Sequence, residues 1–193
     1  MDDRADVLEV QRSQRTVDAG SDVVLTHEQY TVRELSLTWP KVIFLWETLS
    51  KFRTLFSDLT RGDVSNFFQY ISSRNSMWFE ILVEGETAGI ICIVNMHKIV
   101  DVDAHIVFFD RDLADKVGLG KAFAQWLFAN FPIERVTVDI PVIYYATVRL
   151  VRKIGFKDEG RKRNAVLIGG RWVDSYIFGL LREEVTANEF LDR

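Results

Sequence analysis

The sequence predicts a mixed α+β domain of about seven strands and about four helices, in the order β-α-α-β-β-β-α-β-α-β-β. Two patterns carry that prediction. Segments in which apolar residues alternate with a period of two are interleaved with segments of period 3.6, and glycine, proline or aspartate marks most of the boundaries between them. A third observation makes the domain feasible: 193 residues with 48% apolar and 12% aromatic content can bury a full core in one unit.

The elements follow in order. Residues 1–29 carry many charges and few large apolar groups, so they are expected to form a charged extension with little core of its own. Tyr30 to Leu37 alternates as a strand, and Pro40 suits the first turn of a helix reaching about Phe52. Asp63 is a capping residue for a second helix to Ser72. Trp78–Val83 and Thr87–Val94 read as strands joined by the turn Glu84-Gly-Glu86, and Ile99–Phe109 as a third. The helical pattern of Asp115 to Phe131 leads to a strand at Arg135–Ile140, where β-branched residues alternate with polar ones. Val142–Ile154 is helical and stops at Gly155. Strands at Phe156–Ile168 and Trp172–Leu180 flank Gly169-Gly170. Residues 30–184 thus form the expected domain, and 185–193 a tail.

Charge and cysteine content exclude several classes. A net charge of -4 argues against a general nucleic-acid or anionic-membrane binder, which needs a basic face. Charge is nevertheless uneven: residues 116–163 hold ten Lys/Arg against four acids, which is +6, leaving -10 for the rest. Cys92 is the single cysteine and lies in an apolar run, so it reads as a buried structural thiol, with no disulfide and no thiolate metal site. The amino terminus lacks the apolar stretch of a secretory signal and no run spans a bilayer. A cytoplasmic protein is expected, with no membrane partner.

The stretch Asp115-Lys-Val-Gly-Leu-Gly120 opens a helix with two glycines between Lys116 and Lys121. Backbone amides and the helix dipole converge at such a start and suit a phosphate, though a glycine pair here is often only a tight turn. A dinucleotide fingerprint would need glycine at Phe123, and the P-loop pattern is absent. Together with the element order and Leu150-Val-Arg-Lys-Ile-Gly-Phe156, the motif resembles the GNAT superfamily of N-acetyltransferases, whose acyl-coenzyme A site carries [QR]-x-x-G-x-[GA] between the fourth strand and third helix. The segment from Gly155 to Glu184 is similar to the branch containing the ribosomal-protein alanine acetyltransferases. Two positions depart from the pattern. Asp115 stands where the family has Arg or Gln, and Val151 where many members have tyrosine.

The resemblance implies a mostly antiparallel mixed sheet splayed between strands four and five, with acetyl-CoA as cofactor. It implies that backbone at Phe109, Asp110 and Arg111 pairs with the pantetheine, and that amides of Lys116, Val117, Gly118, Leu119, Gly120 and Lys121 hold the pyrophosphate. Tyr144 and Tyr145 would line the coenzyme tail, one of them, Tyr145 by preference, donating to the leaving thiolate; Arg149 would meet the 3′-phosphate. Alternation puts Asp101, Asp103 and His105 on one strand face, and an imidazole suits removal of an amine proton near neutral pH. His105 is therefore the candidate base. The implied acceptor is a protein N-terminus, a lysine or a small amine. The alternative is a catalytically weakened GNAT-fold protein with a binding or structural role in a larger assembly. In either case the charged arm offers a route to homo-oligomers or larger assemblies.

Overall fold

The computed structural model describes residues 23–52, 63–96, 100–110 and 112–186. Eight strands form one sheet, in the order β1-β2-β3-β4-β5-β6-β8-β7. They are β1 (Val23–His27), β2 (Tyr30–Glu34), β3 (Ser76–Val83), β4 (Glu86–Val94), β5 (Asp101–Phe108), β6 (Arg135–Pro141), β7 (Lys157–Ile168) and β8 (Arg171–Leu181). All neighbours run antiparallel except β5 and β6. Five helices lie among the described residues: α1 (Trp39–Leu49), α2 (Val64–Ile71), α3 (Lys116–Asn130), α4 (Tyr145–Ile154) and α5 (Arg182–Thr186).

One strand and one helix exceed the expected number. Residues 23–27, assigned by composition to the charged extension, form β1 on the sheet edge and pair with β2. Residues 1–22 of that extension lie outside the described residues, as do residues 187–193 of the tail. The fourth helix starts at Tyr145 rather than Val142, because Tyr144 donates its amide to the Pro141 carbonyl in a turn before the helix begins.

Local chemistry explains the helices. Asp63 caps α2 by accepting from the amides of Ser65 and Asn66, each at 2.9 Å. Pro40 sits in the first turn of α1, whose Val42, Leu45 and Leu49 recur on one buried face. Each such side chain, fully buried, contributes about 1.5–3 kcal/mol.

The pleat sends alternate residues to two covered faces. On one, Phe79, Ile81, Ile91, Ile93 and Val102 meet Leu119, Phe123 and Leu127 of α3, while Val138, Ile140 and Phe178 meet Val148 and Val151 of α4. On the other, Trp78, Ile90 and Cys92 pack under α1 and α2. Burial pushes the Cys92 thiol far up from its ordinary pKa, which keeps it in the unreactive form. Glu80, on the same face and fully buried, accepts from Arg33 of β2 (2.6 Å) and Lys41 of α1 (2.7 Å), and so fixes α1 to the sheet.

Candidate functional site

The one parallel pair creates the opening. β5 and β6 are paired only at Asp101–Arg135, Val102–Val136 and Asp103–Thr137. Beyond that point β5 keeps its antiparallel partner β4 up to Phe108, while β6 keeps β8 up to Pro141, so the two strands separate. Because β1 adds a strand at the edge, this parting falls between the fifth and sixth strands of the chain. A cavity of about 70 Å³ lies there, lined by Ala104, Ile106, Val138, Phe123, Val151 and Phe156, with His105 and Gly120 at its wall. Its walls are almost wholly apolar.

The start of α3 differs from the expected glycine turn. Neither Gly118 nor Gly120 has a positive φ; the left-handed residue is Asp115, at φ 41°. Its carboxylate accepts from the Gly118 amide at 3.0 Å and from His27 Nε2 at 2.7 Å. Leu119 already donates to the Asp115 carbonyl, so of the amides expected to cradle a pyrophosphate, two are engaged by Asp115 itself. Gly120 and Lys121 lie past the first turn, where amides bond within the helix. The glycines are required by close approach. A Cβ on Gly118 would collide with the Asp115 carboxylate and the His27 ring, and one on Gly120 with Ile154 of α4.

The helix end is thus an anion site filled by the chain's own carboxylate. The His27 hydrogen bond, then the Gly118 amide, hold the Asp115 pKa below the usual carboxylate value. A left-handed non-glycine residue costs roughly 1–2 kcal/mol, which these bonds offset. Glu28, in the turn between β1 and β2, adds a second carboxylate: one ligand-type atom from each of His27, Glu28 and Asp115 lies within 4.8 Å of the others. Tyr30 completes the latch by donating its hydroxyl to the Ala114 carbonyl.

His105 is the second residue past the last β5–β6 pair and faces Cys92 of β4. Solvent reaches its ring, yet it sits deep in the parting, where desolvation lowers its pKa; the charges of Asp103 and Asp139 oppose that without cancelling it. The imidazole is therefore neutral at neutral pH. Asp103 accepts from Asn95 Nδ2 and Asp101 from Thr137 Oγ1 (2.8 Å), so both acids of the β5 row are engaged.

The two tyrosines separate sharply. Tyr145 is 70% exposed, whereas the Tyr144 ring packs against the Val138–Val151 cluster and its hydroxyl is buried without a hydrogen-bond partner among the described residues. Exposure argues against Tyr145 as the donor, and the buried hydroxyl belongs to its neighbour. Val151 is buried and lines the cavity without a polar group.

The remaining sequence-predicted residues are spread around this centre. Phe109 donates its amide to Ala88 of β4 at 2.8 Å, so that N–H is not available to a ligand in the parting. Asp110 accepts from the Asp112 amide, and Arg111 lies outside the described residues. Lys116 places its ammonium 5.1 Å from the Phe108 ring centroid; Val117 packs on the core, Leu119 is fully buried and Lys121 is 7% exposed. Arg149 is exposed on α4. The sequence reading missed His27, because a histidine in a charged arm has no local signature and its partner is 88 positions away. It also missed Asp139, which only the β6 register brings near His105.

No protein-family model matches the chain, and no curated protein sequence matches it. Solved structures do. The spermidine N-acetyltransferase from Vibrio cholerae in complex with CoA and spermine superposes with a TM-score of 0.66 at 14% identity, over 83% of this chain and 100% of that one. A chimera of the Vibrio cholerae spermidine N-acetyltransferase SpeG with hSSAT gives 0.67 at 15% identity, over 86% and 99%. The ribosomal L7/L12 alpha-N-protein acetyltransferase RimL, in complex with coenzyme A, gives 0.67 at 13% identity, over 82% and 97%. The chain therefore shares the fold of these N-acetyltransferases, as the resemblance in its sequence implied.

Proposed function

We propose that this protein is an acetyl-CoA-dependent N-acetyltransferase acting on a primary amine. The observation that carries the reading is the parting of β5 from β6 after three paired residues, with a neutral His105 beside an apolar cleft. When bound, acetyl-CoA supplies a thioester carbonyl. The cleft between α3 and α4 fits the apolar arm of such a molecule, with Ala104, Ile106 and Val138 as its walls. His105, through an unprotonated ring nitrogen, accepts the proton that the attacking amine must lose. Tyr144, its hydroxyl uncommitted, is the proton donor on the α4 side.

The start of α3 fits a diphosphate only by exchange, because the incoming anion must displace Asp115 from the Gly118 amide. This supports the second reading, a weakened GNAT-fold protein with a binding role, as strongly as the cleft supports the first. Calorimetry with acetyl-CoA on the wild-type chain and Asp115→Gly separates them. Glycine suits φ 41° and serves as an N-cap at a cost of a few tenths of a kcal/mol, so the variant is expected to fold. Removing the competing carboxylate should tighten binding at least tenfold, about 1.4 kcal/mol. No binding by either chain would leave the structural role; weaker binding by the variant would show that Asp115 aids the ligand.

A further inference from the structure

The cavity at the parting continues under the part of the sheet where β5 and β6 are still paired. Val136, which lines it, is opposite Val102 in that short paired stretch, and its β8 neighbour Leu180 lines it as well. Leu127 walls the same end from α3, about 16 Å along the helix from Lys116 at 1.5 Å per residue. This closed end therefore lies well beyond the helix start. Val136, Leu180 and Leu127 are all buried. Water in such a void finds almost no hydrogen bonds, and an empty void forfeits the contacts its lining could make, so its chemistry favours an apolar occupant.

The sheet sets the two sides of the parting apart. Alternation turns Val102, Ala104 and Ile106 toward α3 and carries His105 on the opposite face, beside Cys92. His105 still forms part of the cavity wall, so the parting joins the two sides. A thioester held in the parting thus has its carbonyl open to an amine on the His105 side and its acyl chain open to the void on the α3–α4 side. Ala124 of α3 and Val151 of α4 are the small side chains that leave this void unfilled.

We propose that the closed end of this cavity is an acyl pocket, which extends the donor range from acetyl-CoA to propionyl- and butyryl-CoA and favours the longer chains. This rests on the transferase reading and names its donor class. The transfer is unchanged in kind: the C–N bond forms, the C–S bond breaks, the amine proton passes to His105 and the departing thiolate takes one from Tyr144. At the usual hydrophobic gain per buried methylene, each added carbon tightens binding about fourfold while the void has room.

The test is calorimetry on the full chain with coenzyme A, acetyl-CoA, propionyl-CoA and butyryl-CoA. Butyryl-CoA is expected to bind at least tenfold tighter than acetyl-CoA, with propionyl-CoA between them. In Ala124→Leu, whose added carbons occupy the void, that ratio should fall to within about threefold. Val151→Ile adds a single methylene at the facing wall and should lower the ratio too, which gives a second arm should the leucine variant not fold. Butyryl-CoA binding no tighter than acetyl-CoA, or a ratio that survives the substitutions, would overturn the pocket and leave the transferase reading standing. Failure of coenzyme A and of all three thioesters to bind would sink the transferase reading, and the pocket with it.

Discussion

Lys41→Met is expected to lower stability at neutral pH by about 3 kcal/mol, the lower end of the cost of breaking a buried ion pair. Glu80 is fully inaccessible, and Lys41 Nζ donates both to its Oε2 at 2.7 Å and to Thr87 Oγ1 at 2.9 Å. Methionine replaces the stem but leaves the carboxylate with Arg33 and Thr87 alone, and Arg33 is partly in solvent. Burial by itself would raise the Glu80 pKa; the hydrogen bonds and charge of Lys41 and Arg33 outweigh it and hold the value below 4.5. The sign of the pH effect follows. A carboxylate with a depressed folded pKa adds stability above its unfolded value, and that stability is lost as pH falls through the folded value. Urea unfolding should therefore show a large gap between wild type and variant at pH 7 that narrows below 4.5. At roughly 2–4 °C per kcal/mol for a chain of this size, the same loss is visible in Tm. Adding Glu80→Gln to the variant should recover part of it, because no unpaired charge then stays buried. An unchanged midpoint in Lys41→Met would show that α1 is held by its apolar face alone.

His105→Ala should lower kcat for amine acetylation by about 10²–10⁴, the usual worth of a positioned general base. The KM for acetyl-CoA should barely move, since the role proposed for His105 is toward the amine and not toward the coenzyme. Desolvation lowers the His105 pKa, so the wild-type rate should stay on its plateau at neutral pH and decline only on the acid side of 6.5. That acid limb should vanish in the alanine variant. A variant that keeps both its rate and its acid limb would make His105 a strand residue with no part in proton transfer.

The functional reading depends on how the elements meet rather than on any one motif. Gly118 and Gly120 read as a phosphate turn in the sequence, yet both are helical, and each allows a close contact with a residue distant in sequence, His27 or Ile154. The glycines also meet a packing demand that the motif did not announce, set by His27, Asp115 and Ile154. Tyr144 and Tyr145 illustrate the same limit: they are neighbours in the chain, and the turn before α4 alone decides which hydroxyl is buried.

The order of the elements was legible because it rests on local causes. Alternation of β-branched residues, the Asp63 cap, Pro40 and Gly155 act within a few residues, so periodicity and punctuation suffice to place strands and helices. The mixed α+β class follows from that order. What needed the tertiary structure was every feature defined by residues far apart: β1, five residues with no alternation of their own to declare a strand without β2; the His27–Asp115 latch across 88 positions; and the point where β5 leaves β6. Strand pairing and side-chain contact depend on register, a relation between segments that no single segment encodes.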